Sequence, residues 1–167
     1  MVSLGPYSKS RDYSYMYDLY DIKSSEIKPN ENTILDLISS NDQFGKFLEL
    51  VKIAQMENIF NNLFLHKTIF IPLDKYIPDL DVSQFDKNTA MQIIKYSMLN
   101  NIIDSSLLGE NSVSCLINNS NNDKRLYFSI KNNDIYINEN TKIVGYDILC
   151  ANGMIHTTDN LLIPIIL

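Results

Sequence analysis

The sequence predicts an α+β fold in which helices come first and antiparallel strands follow. Three observations carry this. Phe44, Phe47, Leu48 and Val51, then Ile59, Phe60 and Leu63, recur at the spacing of an amphipathic helix. Leu126, Phe128 and Ile130 alternate with polar residues, as do Ile135 and Ile137 beyond Asn132-Asn133, which is the pattern of a β-hairpin. Ile148-Leu149-Cys150 and Met154-Ile155 flank Asn152-Gly153, a dipeptide suited to a type I′ turn whose central residues both take positive φ.

The remaining elements follow in chain order. Residues 1–30 hold five of the ten tyrosines, among them Tyr13, Tyr15, Tyr17 and Tyr20, mixed with Ser, Asp and Lys. Tyr13, Tyr15 and Tyr17 alternate as in a strand, whereas Tyr13, Met16, Tyr17 and Tyr20 fit a helical stripe, so the local structure of this arm stays open. Its aromatic rings with polar tips suit contact with another molecule, or with the arm's own domain. Asn32-Thr33 is placed to cap a helix carrying Ile34, Leu35, Leu37 and Ile38, and a second helix follows Asn41-Asp42. Thr68–Ile71 is β-branched and aromatic and predicts a central strand whose ladder Pro72 ends; Asp74 is placed to cap the short helix after it. Asp86 to Thr89 opens a third main helix with Met91, Ile94 and Met98 along one face, and Leu161, Leu162 and Ile163 predict a closing strand.

With 167 residues and 45% hydrophobic content, one domain of ordinary size has material for a core. The net charge of −6 argues against a nucleic-acid partner, which requires a basic surface. The stretch Met1–Lys9 lacks the apolar centre of a signal peptide, and no run approaches the ~20 apolar residues of a membrane span. The expectation is therefore cytosolic synthesis, or an extracellular protein if a signal has been removed. Asn118-Asn119-Ser120 matters as a glycosylation acceptor only in that second case. Twenty Asn and 23 Ile against two Arg reflect an AT-rich coding sequence.

Chemistry is sparse. Two histidines and two cysteines form neither H-E-x-x-H nor C-x-x-C, no glycine-rich phosphate loop is present, and no metal or cofactor is expected. Cys115 and Cys150 read as buried free thiols. A hairpin turned at Asn152-Gly153 brings Cys150 toward His156 as a conceivable thiol nucleophile pair, although strand cysteines are far more often inert.

Three stretches in order then resemble a fasciclin (FAS1) domain. Thr68-Ile69-Phe70-Ile71-Pro72-Leu73-Asp74 is similar to the family's first motif. Asn152-Gly153-Met154-Ile155-His156-Thr157-Thr158-Asp159-Asn160-Leu161-Leu162-Ile163-Pro164 matches the second motif, N-G-x-I/V-H-x-x-D-x-x-L-x-P, at every diagnostic position. Between them Ile94-Lys95-Tyr96-Ser97-Met98-Leu99 resembles the central Tyr-His segment, with Ser97 where the family usually has His. The resemblance covers roughly residues 31–165 and divides the chain into a tyrosine-rich arm, 1–30, and a fasciclin-like domain, 31–167.

What the resemblance implies is N-terminal helices packed on an antiparallel β-sandwich or wedge, and a non-enzymatic module for protein–protein contact, usually outside cells. An Asp-Ile pair before the second motif, linked to integrin recognition in periostin-like and keratoepithelin-like members, corresponds to Asp147 and Ile148. Period-2 burial alone also explains Ile148 as a core residue and Asp147 as a strand-start residue. His156 after an apolar strand, near Asp159, reads as a neutral side chain bonded to a backbone carbonyl or a carboxylate. The functional expectation is an interaction module with a docking arm, acting on a protein partner or within a larger assembly such as the particle of a large DNA virus; the alternative is a secreted or surface cell-adhesion protein.

Overall fold

The computed structural model describes residues 31–109, 112–116 and 124–164. The arm with Tyr13, Tyr15, Tyr17 and Tyr20 lies outside the described residues, as does Asn118. Four helices, α1 (Ile34–Ser40), α2 (Gly45–Ile53), α3 (Glu57–Asn61) and α4 (Lys87–Tyr96), are described together with seven strands. The strands are β1 (Lys67–Pro72), β2 (Met98–Leu99), β3 (Ser112–Ser114), β4 (Arg125–Lys131), β5 (Asp134–Ile137), β6 (Thr141–Cys150) and β7 (Gly153–Thr158). They form one sheet in the order β2-β1-β7-β6-β5-β4-β3. The class is α+β, as read from the sequence, with one departure from the antiparallel expectation: β1 and β7 are parallel over six pairs from Lys67–Gly153 to Pro72–Thr158.

Alternation along β1 explains why that strand is buried on both faces. Ile69 and Ile71 join Ile155 of β7 in a core against α1 to α4, built around Phe44, Phe47 and Phe60. Phe70 points the other way into a second core with Tyr96, Leu126, Phe128, Ile137, Ile143 and Leu162. Residues of β4 and β5, which lie far from β1 in strand order, thus pack over Phe70, so the sheet folds back upon itself. Two register shifts in β6, between Ile143 and Gly145 and between Gly145 and Ile148, provide the bend. Asp147 takes φ 65° within the second shift.

Local signals explain most boundaries. Thr33 caps α1 with a reciprocal box, its hydroxyl accepting from Asp36 N and the Asp36 carboxylate from Thr33 N. Asp86 caps α4 through Thr89 N at 2.8 Å. Asn132 and Asn133, at φ 52° and 68°, turn the β4–β5 hairpin as expected.

Five expectations are corrected. The stripe from Phe44 to Leu63 is not one helix. Gln55 adopts φ 56°, and the bonds Met56 N to Val51 O and Gln55 N to Lys52 O close a Schellman motif that ends α2, leaving Leu63 60% exposed beyond α3. Pro72 does not stop the β1–β7 ladder. Phe70 N donates to Ser97 O on the β2 side, so the N–H that Pro72 lacks would face that same side, beyond the two-residue β2, while Leu73 N still reaches Thr158 O. Asp74 does not cap its own turn; its carboxylate accepts from Lys46 N at 3.0 Å and so caps α2. The β6–β7 turn is Ala151-Asn152, with Cys150 opposite Gly153, and neither turn residue has positive φ. Leu161 to Ile163 form no strand, although Leu161 and Leu162 are buried, one in each core.

Candidate functional site

The residues singled out in the sequence converge on two buried polar clusters at the sheet. The first joins β1, β6 and β7 to the loop 100–105, which has no strand or α-helix of its own to satisfy its backbone. Thr68, fully buried, donates its hydroxyl to Asn101 O and accepts from Ile103 N, both at 2.7 Å. His156, also fully buried, accepts from Asp147 N at Nδ1 (3.0 Å). Because an amide N–H only donates, Nδ1 carries no proton, and Nε2–H therefore donates to Ile103 O at 2.8 Å. Burial holds the imidazole below its ordinary pKa, outweighing the opposing pull of Asp147, so the ring is neutral at pH 7. It stacks on Phe70 at 5.5 Å and meets Tyr146 edge-on at 6.3 Å. The Asp147 carboxylate accepts from Ser105 N at 2.8 Å and Ser105 Oγ at 2.6 Å.

The second cluster is made by one side chain. Asn152 Oδ1 accepts from Ile34 N at 2.9 Å, capping α1 alongside Thr33, and Nδ2 donates to Phe60 O and Asn62 O at 2.8 and 2.9 Å. The start of α1 and the end of α3 are thereby tied to the β6–β7 turn. Gly153 beside it is required for space: a Cβ there would stand 2.4 Å from Lys67 O and 2.9 Å from Ile34 Cδ1. The glycine serves close approach of β1 and β7, not a positive φ.

The other motif residues have comparable partners. Asp159 exchanges two bonds with Lys142, N to Lys142 O and Oδ1 from Lys142 N, fastening the end of β7 to β6. Tyr96 accepts from Asn138 Nδ2 at 2.8 Å, and burial pushes its phenol above the ordinary range. Ser97, fully buried, donates to Ile93 O, and Pro164 is buried.

Two functional readings meet interior geometry. Asp147 and Ile148 are 4% and 3% exposed, one holding Ser105 and the other in the helix-facing core, so neither side chain is presented to a partner from this surface. The Cys150–His156 nucleophile pair is not formed. Cys150 packs in the helix-facing core while His156 stacks on Phe70 of the other, and both imidazole nitrogens are engaged elsewhere. Burial also pushes the Cys150 thiol far up, away from the thiolate that nucleophilic attack requires.

Sequence reading missed the surface features. Phe64 is 85% exposed, and Leu107, Tyr127 and Ile163 are also exposed. Tyr127 and Ile163 flank an open groove of about 850 Å³ at the end of the sheet. Single exposed apolar residues leave no periodic signal, and only tertiary packing shows which of them gather.

Known proteins agree with this architecture. A family model, the Fasciclin domain, matches residues 42–164. Among solved structures, a FAS1 domain pair from the insect cell adhesion molecule fasciclin I superposes with a TM-score of 0.64 at 15% identity, over 80% of this chain and 51% of that one. The chain thus spans about half the length of that structure, and at such identity the likeness concerns fold alone. No curated protein matches. The matched residues contain all seven strands, the whole of the His156 cluster, and Asn152 with its partners Phe60 and Asn62; this chain belongs to the fasciclin domain family.

Proposed function

We propose that the protein is a non-enzymatic protein–protein interaction module: a fasciclin domain, residues 31–167, that carries a tyrosine-rich docking arm, residues 1–30. Fasciclin domains generally act in adhesion and protein interaction. The observation that carries the reading is that the chemically capable motif side chains are spent inside. His156 is fully buried with both nitrogens bonded, and Asp147 and Thr68 are occupied in holding the loop 100–105. Recognition is then left to surface residues and to the arm, whose tyrosines offer large contact area at low entropic cost. In its finer form the reading makes the chain a structural component of a larger assembly such as a DNA-virus particle, in keeping with its AT-rich residue bias. Affinity purification of the tagged full chain from its native source tests this. Recovery of defined protein partners that are lost when Tyr13, Tyr15, Tyr17 and Tyr20 are changed to Ser, with the fold retained, supports the arm as docking element. Unchanged recovery refutes it, and recovery of cell-surface receptors alone favours the adhesion alternative.

A further inference from the structure

Residues 100–108 hold one short turn, Ser105–Leu107, as their regular structure, and side chains of three strands fasten them. Thr68 of β1 holds Asn101 and Ile103, His156 of β7 holds Ile103 O, and Asp147 of β6 holds Ser105. Ile103 and Leu108 dock from this segment into the core around Phe70, whereas Leu107 is exposed.

One of these strands is held in place by a bond that a proton would break. Nδ1 of His156 accepts from Asp147 N, and this bond helps to keep Asp147 at φ 65°, a backbone setting that costs a residue with a side chain. A second proton on the imidazole turns Nδ1 into a donor and sets N–H against N–H at 3.0 Å. A carboxylate oxygen, Asp147 Oδ1, stands 3.9 Å from Nδ1, and it is the atom that accepts from Ser105 N. Among the described residues, the titratable groups facing the ring are Asp147 and Tyr146 on β6 and Asp104 in the segment itself; β1 contributes the uncharged ring of Phe70. The two carboxylates favour a charged imidazole and burial opposes it more strongly, so the ring gains its proton when water reaches it.

We propose that residues 100–108 form an acid-released flap. Protonation of His156 breaks its bond to Asp147 N, draws the Asp147 carboxylate from Ser105 to Nδ1–H, and frees the segment, exposing Ile103 and Leu108. The strands beneath persist, because β1 and β7 are joined over six pairs between two cores, so the flap opens at lower cost than the whole fold. The open ring has the ordinary pKa near about 6.5 and the closed ring a lower one. Closure is therefore strongest above that pH and weakens below it, by at most about tenfold per pH unit and about thirtyfold at pH 5.

Hydrogen exchange of the full chain, read by mass spectrometry at pH 7.5 and 5.0 and corrected for intrinsic rates, tests this. Expected is a loss of protection of about tenfold to thirtyfold in peptides covering 100–108, with peptides of β1 and β7 unchanged. The Hε1 resonance of His156, one of only two histidines, should shift over the same pH range, a readout that needs no variant. The folded H156Q variant should show no gain in acid. Equal losses in β1 and β7 would reduce the effect to global unfolding and overturn the proposal. So would unchanged protection of 100–108, a His156 resonance that does not move with the gain, or a gain retained in H156Q.

Discussion

Replacing Asn152 by Ala tests whether one side chain joins the two layers. The substitution removes three hydrogen bonds, from Ile34 N to the side-chain oxygen and from the side-chain amide to Phe60 O and Asn62 O. Asn152 is fully buried, so water does not replace it without opening the packing. A net contribution near 1 kcal/mol for each bond, raised by the stranding of buried backbone groups, gives an expected loss of about 3–5 kcal/mol. For a chain of this size that is a fall in Tm of roughly 6–20 °C. Urea unfolding, followed by circular dichroism and tyrosine fluorescence since the chain has no Trp, measures it. Asn152→Asp should be at least as damaging, because it aims a buried carboxylate oxygen at two carbonyls. Asn100→Ala, at an exposed position, should stay within about 0.5 kcal/mol. A loss below about 1 kcal/mol for Asn152→Ala, with the native spectrum kept, would refute the linkage.

Gly153→Ala drives a methyl into Lys67 O at 2.4 Å and should lower stability by about 1–3 kcal/mol or more, read from the urea midpoint. Because burial lowers the folded-state pKa of His156, the unfolded chain binds a proton below about pH 6.5 that the folded chain does not. Stability is therefore full above that pH and falls as pH drops, by up to about 1.4 kcal/mol per unit; His156→Gln should flatten the slope between pH 7 and 5.5, and an unchanged slope would count against the neutral buried imidazole. Asp74→Ala removes the α2 cap and should cost about 1 kcal/mol, whereas an effect beneath 0.3 kcal/mol would show the Lys46 N contact to be idle.

Local chemistry accounts for what was legible. Thr33 and Asp86 were readable as helix caps because capping is settled within three residues of chain. The β4–β5 hairpin was readable because Asn132-Asn133 combines with strict alternation on either side. The break at Gln55 was not, since a Schellman turn without glycine carries no residue signature while the apolar stripe continues past it. Asp74 caps α2 and not the turn it begins for a related reason: a carboxylate near a helix start signals a cap, but not whose.

The site divides in the same way. The amino-acid sequence by itself determined the fold class, the family motifs, and the expectation that His156 is neutral and bonded to a backbone carbonyl or a carboxylate; the structure chose backbone, Ile103 O and Asp147 N. The sequence also marked Asn152 and Gly153 as a unit, although for a turn that lies one residue earlier. Tertiary structure alone decided that β7 lies parallel to β1, which brings Gly153 against Lys67 and obliges it to lack a side chain. It decided too that Asp147 and Ile148 face inward, and that Thr68 and His156 share one loop, some 35 and 53 residues away in sequence. The physical reason is that periodicity and capping are set by neighbours along the chain, whereas burial, register and partner choice are set by groups that folding brings near.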